Sequence, residues 1–220
     1  MFQHQERAAM SQIVIAAVER YMNDLIPERD PVLREMEEYA EQNNIPIVGP
    51  AVGRLLFQLA LALQARRVFE MGSAIGYSTI WLARAVTDDG IVYYTDGDPD
   101  NLARAEAYCR RAGVYNRVTF LLGNALELID QVEGQFDIVF NDVDKYQYPQ
   151  VFYKTAARVR QGGLLIADNV LWSGRVAGEE QDHWTEAIRQ FNRLIYEAPD
   201  FFTTIVPLRD GISLSLKLYS

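Results

Sequence analysis

Two short segments of this 220-residue chain carry oxygen-rich side chains directly after apolar runs. One reads Phe140-Asn141-Asp142-Val143-Asp144-Lys145 and the other Ile166-Ala167-Asp168-Asn169. If the two apolar runs are neighbouring strands, Asp142 and Asp168 start only ~5 Å apart, the spacing across a sheet. Carboxylates that close either share a proton or hold a cation. With the amide oxygen of Asn169 added the set is all oxygen, which suits Mg²⁺ first, with Ca²⁺ or Mn²⁺ as alternatives, rather than zinc. Two histidines and one cysteine in the whole chain leave little for a zinc site. The competing reading is that each Asp caps the segment that follows it. Lys145 comes three residues after Asp142. Beside a cation its ammonium is disfavoured, so its pKa is expected to fall toward that of a general base; a solvated surface lysine is the plainer alternative.

A second group of candidates ends other apolar runs. Glu70-Met71-Gly72-Ser73-Ala74-Ile75-Gly76-Tyr77-Ser78 puts an acidic residue and two glycines before a helix start. Glycines there let the backbone turn tightly and approach a ligand. Ala74 occupies the place of a middle glycine, so the spacing departs from the dinucleotide fingerprint and fits a pyrophosphate poorly. Glu70 points instead to a cationic group such as the amino group of a methionine moiety. Asp96, in Tyr94-Thr95-Asp96-Gly97-Asp98-Pro99, could accept from both hydroxyls of a ribose, while Asp98 reads as a helix cap. Gly123-Asn124-Ala125 is placed to line an adenine. Three such ends together point to S-adenosylmethionine.

The elements that must bring these residues together follow from periodicity. Apolar residues at three- and four-residue steps predict a helix from about Met10 to Leu25, with further helices over 31–42 and 52–64. Then short apolar runs alternate with helical stretches: strands at 67–71, 91–95, 118–122, 136–141 and 163–167, helices at 77–86, 100–112, 125–131 and 149–159. That alternation is the pattern of βαβ units in a parallel sheet covered on both faces. Ligands of such sheets bind at the carboxyl ends of the strands, which is where every candidate stands. A helix over 183–197 precedes two runs, 202–207 and 212–218, that read as a hairpin around Asp210-Gly211. Without repeats or a linker, one domain is expected over 1–220, with N-terminal helices over 1–65 and the sheet core over 66–220.

A formal charge of −9 gives no electrostatic footprint for duplex nucleic acid. A small-molecule partner is favoured. The lone Cys109 offers no intramolecular disulfide, and no apolar run reaches the ~20 residues that a membrane span needs, so a cytoplasmic protein without membrane contact is expected.

The segments at 70–78, at 142–148 (Asp-Val-Asp-Lys-Tyr-Gln-Tyr) and at 167–174 (Ala-Asp-Asn-Val-Leu-Trp-Ser-Gly) resemble those of the cation-dependent O-methyltransferases, the family of catechol and caffeoyl-coenzyme A O-methyltransferases and their bacterial relatives. The resemblance runs from Ile45-Pro46-Ile47-Val48 to Pro207-Leu208-Arg209-Asp210-Gly211. It implies a Rossmann-like class I methyltransferase fold: a mostly parallel seven-stranded sheet, helices on both faces, and extra N-terminal helices. It makes Asp142, Asp168 and Asn169 metal ligands and Lys145 the catalytic base. It assigns Val48, Glu70, Gly72, Ser78, Asp96, Ala125 and Asp142 to S-adenosylmethionine, and implies a homodimer acting on a small hydroxylated substrate. Asn141 stands where relatives usually carry an aliphatic residue and Val143 where many carry alanine, differences that bear on substrate fit. Trp172, Tyr146 and Tyr148 are candidates for the acceptor wall, with plain packing as the alternative.

Some bacterial relatives with the same motifs methylate a hydroxylated tRNA uridine, and a patch of Arg66, Arg67, Arg110, Arg111 and Arg117 would serve such a substrate. The acidic Gly178-Glu179-Glu180-Gln181-Asp182 speaks against it. A non-catalytic cofactor-binding protein is the remaining alternative, disfavoured by the intact Asp142, Lys145, Asp168 and Asn169.

Overall fold

A computed structural model describes residues 13–219. Three helices precede the first strand: α1 (Ala16–Asp24), α2 (Pro31–Asn43) and α3 (Gly49–Ala62). Residues 10–12 of the expected first helix lie outside the described residues. α1 buries none of its residues and turns Ile15, Val18, Tyr21, Met22 and Leu25 outward. α2 is better anchored. Asp30 caps it by accepting from the amides of Val32 and Leu33, and Leu33, Met36 and Ala40 are buried along one stripe. α3 starts three residues earlier than periodicity predicts, because Pro50 in its first turn needs no hydrogen-bond partner for a missing N–H.

The sheet follows: β1 (Arg67–Met71), β2 (Ile91–Asp96), β3 (Val118–Leu122), β4 (Phe136–Asn141), β5 (Val159–Ala167), β6 (Phe201–Val206) and β7 (Ile212–Lys217). Their order across it is β3-β2-β1-β4-β5-β7-β6. The first five are parallel, and β7 enters antiparallel between β5 and β6, closing the expected hairpin. The chain crosses between strands through α4 (Tyr77–Ala85), α5 (Pro99–Arg111), α6 (Ala125–Gln131) and α7 (Tyr148–Thr155), and α8 (His183–Glu197) leads into the hairpin.

Helices cover both faces. On one, Val52, Leu56, Ile80 and Cys109 pack over Val68, Ile138 and Ile166; on the other, Ile129, Tyr148, Val151, Ile188 and Phe191 pack over Phe69, Phe136, Val139 and Leu165. Each fully buried large side chain of this kind contributes about 1.5–3 kcal/mol. α8 shows how the sequence writes this: Ile188, Phe191 and Ile195 recur at helical spacing and are buried, while Arg189, Arg193 and Glu197 keep to the other side.

One expected boundary is corrected. The helix predicted over 149–159 ends at Thr155, and β5 begins at Val159 rather than at Gly163. The Arg158 carbonyl accepts from the Phe136 amide at 2.7 Å, and Val159 pairs with Phe136, so the sheet ladder claims backbone that the apolar period alone assigned to the helix. Among the described residues no helix is long and apolar enough to cross a membrane.

Candidate active site

The strand order reverses between β1 and β4, and a parallel sheet opens a crevice at such a point beyond its carboxyl ends. Here the Asp142 amide donates to the Met71 carbonyl at 2.8 Å. Gly72 turns with φ +82°, and a Cβ on it would lie 2.7 Å from the Asp142 carbonyl oxygen, so a side chain there would force the two strand ends apart. Residues 46–48, 72–74, 77, 78 and 142 line a narrow cleft at this place. Val48, Gly72, Ser78 and Asp142, expected from the sequence, thus come together.

Glu70 lies beneath the cleft and is fully buried. Its Oε2 accepts from the Thr79 hydroxyl, while Oε1 has no partner. Burial pushes its carboxyl up to about 7, against the nearby hydroxyls of Ser78, Thr79 and Ser73, which favour the anion, with the charge of Asp142 adding to the rise. A buried acceptor left without a donor is costly, and a cationic ligand group would satisfy it. Asp96 ends β2 next door. It accepts from the Ala74 amide at 2.9 Å, the Asp98 amide at 2.8 Å and the Asn101 amide nitrogen at 3.2 Å, and these bonds fix its carboxylate. Asp98 caps α5 through the Asp100 amide, as its position predicts. Ala125 is buried in the first turn of α6, where Asn124 caps the helix through the Leu126 amide. The buried unpartnered oxygen of Glu70 beside the fixed carboxylate of Asp96 fits a ligand with an ammonium group and a diol, which S-adenosylmethionine has.

Across the cleft mouth, β4 and β5 are neighbours with Asn141 paired to Ala167, so Asp142 and Asp168 leave the sheet side by side. Asp168 is buried. Burial and then the charge of Asp142 push its carboxyl up to about 7, with Lys145 and Arg209 pulling the other way. Asn169 takes a left-handed backbone, φ 56°, and its amide nitrogen faces Asp210 at 3.5 Å, which leaves its amide oxygen as an acceptor. Among the described residues no three or more His, Cys, Asp or Glu side chains cluster as metal ligands. The expected set is different in kind, two carboxylates and an amide oxygen, and such donors suit a hard cation.

Lys145 reaches into the same corner. Its ammonium donates to Asp142 Oδ1 at 2.9 Å, to the Tyr148 hydroxyl at 3.0 Å and to the Val143 carbonyl at 3.3 Å. Burial works against the ammonium, but Asp142 and Tyr148 outweigh it and hold the pKa above its ordinary value. The fall expected from the sequence is that of a lysine beside a cation, and the arrangement here is a different one. The physical reason is that Asp142 here serves Lys145 directly; drawing that negative charge onto a cation would remove the hold on the proton.

The aromatic candidates separate. Tyr148 is no wall: it is fully buried, and its hydroxyl takes the Lys145 hydrogen bond and donates to the Asp168 carbonyl at 2.7 Å. Tyr146 is exposed and stacks on His183, ring centroids 6.0 Å apart. Trp172 is half-buried in the loop after β5, where it and Ser173 have φ of 47° and 52°. Left-handed backbone at a tryptophan is costly and gathers where a site over-determines the chain. The brace is Asp210, which accepts from the Ser173 amide and whose carbonyl accepts from the Leu171 amide at 2.9 Å. Asp210 and Arg209 were visible in the sequence only as the end of a motif; two consecutive charged residues inside a tight hairpin were the signal that they do more than turn the chain. Asn141 is fully buried with its amide nitrogen unpartnered.

A family model described as O-methyltransferase matches residues 24–218. The catechol O-methyltransferase of Niastella koreensis is 30% identical over 219 residues, covering 94% of this chain and 99% of that protein. Among solved structures, an O-methyltransferase from Bacillus cereus in complex with SAH superposes with a TM-score of 0.83 at 30% identity, covering 91% of this chain and 97% of the other. The O-methyltransferase TomG from Streptomyces achromogenes, involved in tomaymycin synthesis and in complex with SAM, gives 0.84 at 28% identity, covering 92% and 96%.

Proposed function

The chain belongs to the O-methyltransferase family and is an S-adenosylmethionine-dependent enzyme, and from that premise we propose that it methylates one hydroxyl of a catechol-like or other vicinal-oxygen small molecule with the help of a divalent cation. The observation that carries this reading is the corner where Asp142 and Asp168 leave paired strands within reach of Lys145. Asp142, Asp168 and Asn169 would hold the cation, Mg²⁺ before Ca²⁺ or Mn²⁺. When bound there, it would orient two neighbouring acceptor oxygens and lower the pKa of one.

Lys145 in its neutral amine form accepts that proton on Nζ. The acceptor oxygen then forms a bond to the methyl carbon as the carbon–sulfur bond breaks, and the electron pair leaves on sulfur. Val48, Glu70, Gly72, Ser78, Asp96, Ala125 and Asp142 hold the donor so that its methyl group faces the acceptor; alignment of this kind is the larger part of such catalysis. Tyr148 keeps the Lys145 nitrogen in place while anchoring the Asp168 backbone.

The tRNA alternative finds little support. Arg66 pairs with Asp89, Arg110 with Glu106, Arg111 with Glu35 and Arg117 with Asp88, while Arg67 donates to the carbonyls of Gln135 and Glu133. Arg66, Arg67 and Arg117 also stand at the amino ends of β1 and β3, the far side of the sheet from Asp142. For the homodimer that the resemblance implies, the outward apolar row of α1 is the surface to bury.

Methyl transfer is expected to catechol or a caffeoyl thioester in the presence of Mg²⁺, with monohydroxy analogues and hydroxylated or unmodified tRNA left unlabelled. Preferential labelling of tRNA would replace this reading with its rival. On the donor side, Asp96→Ala should weaken S-adenosylmethionine binding by about 1.5–3 kcal/mol, the scale of hydrogen bonds to a charged acceptor. Calorimetry returning wild-type affinity would remove Asp96 from the donor site.

A further inference from the structure

The hairpin turn between β6 and β7 touches both walls of the cleft. Its acceptor-side contacts are those of Asp210 and of the Gly211 carbonyl, which accepts from the Val170 amide at 3.1 Å. Its donor-side contact is Arg209. The Arg209 guanidinium donates through one nitrogen to the Ile47 carbonyl at 3.0 Å and to the Val48 carbonyl. Residues 46–48 form one wall of the donor cleft, and Val48 is buried. The guanidinium also fills the place beside Gly49, which has φ +71°: a Cβ there would lie 2.8 Å from the same guanidinium nitrogen and would displace it. Arg209 itself has φ 50°, a left-handed backbone that favours glycine.

We propose that Arg209 is a positioning residue for the methyl donor: it clamps the carbonyls of residues 47 and 48 and so fastens the cleft wall to the turn that braces the acceptor loop. Two ends of the reaction are then set by one hairpin. Residues 46–48 lie between α2 and α3, with Val48 capping the start of α3. A rigid cation donating to two successive carbonyls ties this segment to the hairpin. The clamp acts before any acceptor arrives, so its effect belongs to donor binding.

The inference rests on the reading of this cleft as the S-adenosylmethionine site, and the test separates the two. Arg209→Gly removes the side chain while relieving the backbone, so loss of function cannot be laid to added strain. S-adenosylmethionine Kd by calorimetry and its KM in turnover are expected to rise about tenfold, the scale of one charge-assisted hydrogen bond, and by more than kcat falls. Arg209→Lys should recover part of the affinity, because an ammonium can donate to one carbonyl. Gly49→Ala should weaken donor binding in the wild-type background and do so less in Arg209→Gly, where the displaced group is already gone; the strained backbone is common to both backgrounds and cancels. Wild-type affinity in Arg209→Gly, no recovery with lysine, or an equal effect of Gly49→Ala in both backgrounds would each overturn the clamp. If Arg209→Gly does not fold, Arg209→Lys read against the wild type decides: a rise in donor Kd and KM larger than the fall in kcat supports the clamp, and wild-type donor affinity overturns it. Unchanged affinity in Arg209→Gly with loss in Asp96→Ala would remove Arg209 alone; unchanged affinity in both would remove the cleft as the donor site.

Discussion

Replacing Lys145 by alanine is expected to lower kcat for methyl transfer by about 10²–10⁴-fold, the contribution of a positioned general base, while S-adenosylmethionine affinity stays within about twofold of the wild type. The expectation comes from where Nζ stands, 2.9 Å from Asp142 Oδ1 and 3.0 Å from the Tyr148 hydroxyl, on the acceptor side of the cleft mouth. Its loss leaves Asp142 and Tyr148 without their shared partner, so some change in stability accompanies the loss of rate. Lys145→Arg tells the two apart. Arginine keeps a positive charge beside Asp142 but does not release its proton near neutral pH, so that variant should hold its thermal midpoint close to wild type and remain inactive. Single-turnover assays of both proteins, run with saturating donor, make the comparison. An active Lys145→Ala enzyme would take Lys145 out of the chemistry; an active Lys145→Arg enzyme would keep it as an electrostatic group and not as a base.

What was legible in the sequence was the carboxyl edge of the sheet. Each of Glu70, Asp96, Asp142 and Asp168 follows or ends an apolar run, and in a parallel sheet those ends converge whatever the details of packing. The pairing of Asn141 with Ala167 then makes neighbours of Asp142 and Asp168, as the placing of their strands predicts. Less legible was anything that depends on a side chain's second contact. Tyr148 and Tyr146 sit two positions apart in the same aromatic segment, yet one is buried and bonded to Lys145 and the Asp168 carbonyl, while the other is exposed against His183. Periodicity cannot separate them, because Tyr146 lies in the short turn over Lys145–Gln147, which has no apolar repeat, and Tyr148 opens the helix after it. Arg209 lay hidden for a different reason. Its partners, the carbonyls of residues 47 and 48, are main-chain groups 162 and 161 residues away in the chain, and a carbonyl leaves no mark in the sequence. The charge state of Lys145 is equally hard to read, because it turns on which partner Asp142 takes, a competition between two positive charges that residue types alone do not decide.

That competition leads to the result expected from metal removal. Turnover should be lost in excess EDTA and return with Mg²⁺, and with zinc only poorly, because the donor set of Asp142, Asp168 and Asn169 is oxygen alone. Donor binding should persist in EDTA, since Glu70, Asp96 and the cleft wall do not belong to that set. Asp168→Ala is expected to mimic chelation: it removes the buried carboxylate that burial and Asp142 together push up to about 7, and leaves Asp142 to its ion pair with Lys145. Activity should fall at least as far as in Lys145→Ala, with S-adenosylmethionine affinity kept. Asn169→Ala should fall less far, as a neutral ligand is lost and the carboxylate pair survives. The Asp168 backbone stays tied to the sheet by its amide, which donates to the Asn141 carbonyl at 3.1 Å, and by the Tyr148 hydroxyl on its carbonyl, so the variant should fold. Metal content by mass spectrometry, read beside turnover for each protein, closes the test. Full turnover from protein shown to be free of metal would overturn the cation and leave Lys145, Asp142 and alignment of the donor to account for the rate.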